Sequence, residues 1–207
     1  MYFIMGTANC SRAPEEVLSE AIAGGITMFQ FREKGPGALT GSARLELART
    51  LQQLCRSHSI PFIVNDDIHL AIALDADGIH VGQDDEPARS IREQIGANKI
   101  VGVSAHSLEE ARQAISDGAD YLGIGPIYPT ISKLDAKEVQ GTAVIEAIRA
   151  QEISIPLVGI GGINIQNASP VINAGADGIS VISLIAAAAA IRETTRQLVH
   201  VVKESSY

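Results

Sequence analysis

The chain has 207 residues, 46% apolar and 19% charged, and its 24 acidic and 16 basic side chains leave a formal charge of −8. That length suits one domain with a sizeable core, over residues 1–207, and is short for two. The composition excludes a disordered chain, and the acidic balance excludes a nucleic-acid binder working through a broad basic surface. A small anionic ligand stays open, because it sees only its local site.

Short β-rich apolar runs alternate with helical patterns throughout. Strands are predicted near 2–6, 26–31, 61–65, 77–81, 99–103, 120–124, 155–160 and 177–182. Helices are predicted near 14–23, 40–58, 67–75, 87–96, 107–117, 141–151, 164–173 and 186–205. A weak repeat supports this register: Ala76-Asp77-Gly78, Ala119-Asp120-Tyr121 and Ala176-Asp177-Gly178 each open an apolar strand. Eight βα units without a linker favour a single (β/α)8 TIM barrel, with a doubly wound open sheet as runner-up. Cys10 and Cys55 form no metal-spaced set and read as free thiols. No charged n-region precedes an apolar h-region, and no apolar run is long enough to span a bilayer, so a cytoplasmic protein without a membrane partner is expected.

In such a barrel the chemistry lies at the C-terminal ends of the strands. Strand 2 ends in Gln30-Phe31-Arg32-Glu33-Lys34. Alternation puts Gln30, Arg32 and Lys34 on one face and Phe31 and Glu33 on the other. Two cations on an inward face need an anion, either a diphosphate or neighbouring carboxylates. Strand 3 ends in Asn65-Asp66-Asp67, and strand 4 leads into Asp84-Asp85. Asp66 with Asp85 suits Mg2+, which takes oxygen ligands and shares them with substrate phosphate and water. Asp67 reads better as a helix N-cap.

Strand 5 ends in Ser104-Ala105-His106-Ser107. Ser104 is a candidate donor to a phosphate or heterocycle. His106 and His80 read as hydrogen-bonded structural histidines. Ser107 and Glu110 have capping-box spacing. The longest connection follows strand 6, where Thr130, Ser132 and Lys133 offer two hydroxyls and a cation; it is either a binding loop or a mobile surface loop. Strand 7 ends in Gly159-Ile160-Gly161-Gly162, and strand 8 in Val181-Ile182-Ser183, the usual place of a backbone-lined phosphate cradle. Two anion sites, one metal-assisted and one backbone-lined, point to two phosphorylated small-molecule substrates with diphosphate as leaving group.

QFREK at 30–34, VNDD at 64–67, HVGQDD at 80–85, GVSAHS at 102–107, GPIYPT at 125–130, VGIGGI at 158–163 and VIS at 181–183 together resemble the thiamine-phosphate synthase (thiamine-phosphate pyrophosphorylase) family. The resemblance implies condensation of 4-amino-2-methyl-5-pyrimidinylmethyl diphosphate with a methyl(hydroxyethyl)thiazole phosphate, or its carboxylated form, through a pyrimidinylmethyl cation. By that likeness Gln30, Phe31, Arg32, Glu33, Lys34, Asn65, Ser104 and Lys133 bind the pyrimidine diphosphate, with Arg32, Lys34, Ser104 and Lys133 catalytic. Asp66 and Asp85 hold Mg2+. Thr130, Ile131, Ser132, Gly162, Ile182 and Ser183 hold the thiazole phosphate, Ile131 through its backbone alone. A thiazole tautomerase is the nearest rival, expected to lack the QFREK and NDD sets. A non-catalytic ligand-binding relative is the rival from another class, expected to lack Asp66, Asp85 or Lys133.

Overall fold

The computed structural model describes residues 1–130, 132 and 138–205. Eight parallel strands close into a barrel in chain order: β1 (Tyr2–Met5), β2 (Met28–Phe31), β3 (Phe62–Asn65), β4 (Gly78–Val81), β5 (Ile100–Ala105), β6 (Tyr121–Ile124), β7 (Leu157–Ile160) and β8 (Gly178–Val181). Pairing of Tyr2 with Ser180 and of Phe3 with Val181 joins the last strand to the first, which rules out the open sheet. Around the barrel lie α1 (Pro14–Gly24), α2 (Gly41–Ser57), α3 (Ile68–Ala73), α4 (Ala88–Ile95), α5 (Leu108–Ser116), α6 (Ala143–Arg149), α7 (Ala168–Asn173), α8 (Ser183–Ala186) and α9 (Ile191–Ser205).

Strand alternation splits the core in two. The outward faces pack under the helices, with Phe3, Phe29, Phe31 and Phe62 in mutual contact. The inward faces make a smaller cluster of Tyr2, Ile4, Ile63, Tyr121 and Ile182. Cys10 and Cys55 are free, and burial pushes the Cys55 thiol up to about 12, as an unreactive packing thiol requires.

Caps set several helix starts. Asp67 accepts from Leu70 N–H at 2.9 Å, the N-cap expected of it. Ser107 accepts from Glu110 N–H at 3.1 Å, while Glu110 reaches back to His106 N–H rather than to Ser107, so the capping box closes one residue early.

The chain's end departs from expectation. A helix over 186–205 is predicted, yet residues 187–190 turn and separate α8 from α9. Alanine has the highest helix propensity, and tertiary packing overrides it. Ile191, Thr195, Leu198 and Val202 form the buried stripe of α9, which crosses α1 so closely that a Cβ on Gly24 would lie 2.5 Å from Thr195 Cβ.

The repeated aspartates lock the N-terminal end of the barrel. Asp77 accepts from Phe62 N–H at 2.8 Å, Asp120 from Val101 N–H at 2.7 Å and Asp177 from Leu157 N–H at 2.7 Å. Each aspartate at the entry of one strand thus satisfies the first orphan N–H of the strand before it. Two arginines complete the clamp. Arg92 donates to the carbonyls of Gly96, Lys99 and Gly118 and to Asp120. Arg149 donates to Gly175, Ile153, Ile155 and Asp177.

Candidate active site

The C-terminal strand ends surround a cavity lined by Gln30 and Arg32 of the β2 end, Asn65 of β3, His80 of β4 and Ser104 of β5. Thr130, Ser132, Gly161, Gly162, Ile182 and Ser183 line its other side. The two sets proposed for two substrates therefore share one cavity. The alternation expected of strand 2 holds for Gln30 and Arg32, which face inward.

Phe31 and Glu33, assigned to the pyrimidine diphosphate with their neighbours, do not line that cavity. Phe31 is 1% exposed and stacks on Phe62 in the outer core. Glu33 is 7% exposed; it accepts from Thr7 N–H at 2.9 Å, from the Thr7 hydroxyl and from Leu39 N–H at 2.7 Å. Three donors satisfy that buried carboxylate. Glu33 ties the loop after β1 to the loop after β2, and so supports the segment carrying Lys34.

Lys34, Asp66 and Asp85 follow β2, β3 and β4 and meet on the same rim. Lys34 Nζ pairs directly with Asp66. The Asp85 carboxyl comes within hydrogen-bonding reach of Asp66, and its other anchor is Gly82 N–H at 2.8 Å. Burial raises the Asp66 carboxyl above the ordinary aspartate range; Lys34 pulls it down, Asp85 pushes it up, and the net shift is upward. Asp66 also sits at φ 61, in the left-handed region where strain collects at functional sites. Two neighbouring carboxylates, one of them on a left-handed backbone, are a poor way to stabilise a fold and a good way to hold a divalent cation. Among the described residues no group of three or more His, Cys, Asp and Glu could hold a metal. The pair alone fits an ion that takes its remaining ligands from phosphate and water.

On the other side of the cavity, Ser132 and Ser183 hydroxyls lie 2.9 Å apart, and Thr130 Oγ1 accepts from Ser132 N–H at 3.2 Å. Gly161 and Gly162 take φ 100 and 62. A Cβ on Gly162 would lie 2.4 Å from the Pro129 carbonyl, so only glycine lets the two loops approach. Ile131 and Lys133 lie outside the described residues.

His106 faces the cavity with its Nδ1 3.1 Å from Glu110 Oε2. His80 bonds to Tyr121 and Ser104. Tyr2, Tyr121 and Ser180 were not singled out from the sequence. Tyr2 and Tyr121 form the floor of the barrel interior, and Ser180 lines the cavity with its hydroxyl buried and unpartnered. Strict alternation from Ile4 back to Tyr2, and from Ile182 back to Ser180, was the signal available for two of them.

Closed barrel and polar rim together define a (β/α)8 enzyme with its site at the C-terminal mouth. The family model described as thiamine monophosphate synthase matches residues 1–185. A thiamine-phosphate synthase of Bacillus cereus (strain B4264) is 60% identical over 205 residues, covering 99% of this chain and 93% of the relative. One of Bacillus mycoides (strain KBAB4) is 58% identical over the same shares. The solved thiamine phosphate pyrophosphorylase of Pyrococcus furiosus superposes with a TM-score of 0.87 at 38% identity, over 99% of this chain and 95% of that one. The chain belongs to the thiamine monophosphate synthase family, and it is a transferase of thiamine biosynthesis.

Proposed function

We propose that the chain, as one catalytic domain, joins 4-amino-2-methyl-5-pyrimidinylmethyl diphosphate to methyl(hydroxyethyl)thiazole phosphate or its carboxylated form. The observation that carries this reading is the meeting of Lys34 with the Asp66–Asp85 pair beside a cavity lined by Gln30, Arg32, Asn65 and Ser104. Asp66 and Asp85 would hold Mg2+, which when bound supplies Lewis-acid neutralisation of the diphosphate.

Arg32 and Lys34 place positive charge where the diphosphate departs, and the family likeness assigns Lys133 to the same group. The C–O bond breaks with its electron pair going to the diphosphate oxygen, and the exocyclic amino group stabilises the pyrimidinylmethyl cation left behind. Cations fixed before the reaction stabilise that developing charge without reorganising. Gln30, Asn65 and Ser104 orient the ring. Thr130, Ser132, Gly162, Ile182 and Ser183, with the Ile131 backbone, hold the thiazole phosphate so that its ring nitrogen faces the cation. The new C–N bond takes that nitrogen's lone pair, and a carboxylated thiazole then loses CO2. No proton is abstracted on this route, which agrees with His106 being occupied by Glu110.

The tautomerase and the silent binding relative are disfavoured by the intact Arg32, Lys34, Asp66 and Asp85. No helix among the described residues is long and apolar enough to cross a membrane. Free cysteines and phosphorylated small-molecule substrates support a cytoplasmic site of action. Purified chain incubated with both substrates and Mg2+ is expected to release pyrophosphate in step with thiamine phosphate. No release above background would overturn this reading.

A further inference from the structure

Beneath the cavity, five side chains from five strands form an unbroken line of hydrogen bonds across the barrel. Gln30 Nε2 donates to the Tyr2 hydroxyl at 2.7 Å, and the Tyr2 and Tyr121 hydroxyls are 2.8 Å apart. His80 Nδ1 lies 2.9 Å from the Tyr121 hydroxyl, and His80 Nε2 lies 2.9 Å from Ser104 Oγ. Tyr2 and Tyr121 are each 4% exposed, and burial raises both phenol pKa values, so each keeps its proton. The sequence makes room for the rings with glycine. A Cβ on Gly102 would lie 2.1 Å from Tyr121 Cζ, and one on Gly123 would lie 3.2 Å from His80 Cε1.

Protons along such a line can be counted, because each hydroxyl and a neutral imidazole carries one. When the Gln30 amide donates to Tyr2 and each buried tyrosine spends its one proton within the line, Tyr2 donates to Tyr121 and Tyr121 to His80 Nδ1. His80 then carries its proton on Nε2 and donates to Ser104, whose own proton is left for the cavity. Gln30 keeps its carbonyl oxygen as an acceptor at the other end. Reversing any one link reverses them all: Ser104 would present only lone pairs, and Gln30 would turn its NH2 to the ligand.

We infer that Tyr121, through Tyr2 and His80, is a positioning residue that fixes an acceptor at Gln30 and a donor at Ser104, and so selects an aminopyrimidine over its oxo counterpart. This rests on the assignment of Gln30 and Ser104 to the pyrimidine made above. An amino group donates and a ring nitrogen accepts, which matches the donor and acceptor at the two ends. An oxo group beside a ring N–H presents the opposite pattern and would leave buried groups unpaired. Tyr121 touches no substrate; its effect passes along the line.

The direct test is 15N NMR of histidine-labelled, ligand-free protein, with the His80 signal assigned by its loss in His80→Asn. The expected spectrum shows a proton on Nε2 and a bare Nδ1. A proton on Nδ1, or on both nitrogens, overturns the inference, whatever the protein's turnover. Loss of the synthase reading is separate, since it means no pyrophosphate release from the wild type. In Tyr121→Phe the KM for the pyrimidine diphosphate is expected to rise about ten-fold, the scale of one lost hydrogen bond. The KM for the thiazole phosphate should stay unchanged, and the preference for the amino over the 4-oxo diphosphate should fall by a similar factor. Equal changes in both KM values with the preference intact would reduce Tyr121 to packing and overturn the inference. Tyr2→Phe cuts the same line one link away and gives the same readout should Tyr121→Phe not fold.

Discussion

At the N-terminal end of the barrel, Asp77, Asp120 and Asp177 each accept from a backbone N–H at the start of a strand, and Arg92 and Arg149 close over two of them. At the C-terminal end, Asp66 lies against another carboxylate, on a left-handed backbone, with Lys34 as its counterion. The residue type is the same and the physics opposite. A carboxylate whose lone pairs are filled by backbone donors holds a fold together. One pressed against a like charge stores an unfavourable interaction that a cation can relieve. One end of this barrel is built for stability and the other for chemistry.

The sharpest way to break that contrast is to remove charge from the rim. Arg32→Ala and Asp66→Ala are each expected to lower kcat by about ten-fold or more, with thermal unfolding little changed. Wild-type turnover in both variants would erase the distinction between the two ends. Removing the clamp should do the reverse. Arg149→Ala leaves three carbonyls and Asp177 short of donors, and is expected to cost about 1–3 kcal/mol of stability while kcat holds. A fall in kcat without a fall in Tm would show that the clamp reports to the active site.

The smallest effect tests the sign of the rim's strain. The Asp66 pKa is raised in the folded protein, so its contribution to stability is full at low pH and is lost as pH rises through the folded value. Metal-free Asp66→Asn should therefore melt above the wild type at neutral pH, with the gap closing below the ordinary carboxylate range. Mg2+ with pyrophosphate should raise the wild-type Tm and leave the variant's where it was. A variant less stable than wild type at neutral pH would mean that the Lys34 pair outweighs the burial of the carboxylate and its repulsion by Asp85.

Much of this was legible in the residues. Alternation within QFREK put Gln30 and Arg32 inward, and the Ala-Asp repeat marked strand entries, because both depend on spacing alone. The repeat's purpose was not legible, since the N–H that Asp120 accepts belongs to another strand, at Val101. Glu33 is assigned to substrate by the family likeness alone. Its hydrogen-bond partners within the fold, Thr7 and Leu39, lie on loops whose approach no local pattern reveals. The break at 187–190 runs against alanine's own preference, which a reading from local propensity misses. The line from Gln30 to Ser104 was hidden for the same reason, as its five members come from five strands.

The central claim is that cations and paired carboxylates at one rim receive the departing pyrophosphate. Anomalous diffraction from crystals grown with Mn2+ and pyrophosphate tests it most directly. The account predicts one manganese peak between Asp66 and Asp85, sharing oxygens with a pyrophosphate that Arg32 and Lys34 also contact. A pyrophosphate bound elsewhere, or a metal that leaves both aspartates untouched, would contradict it.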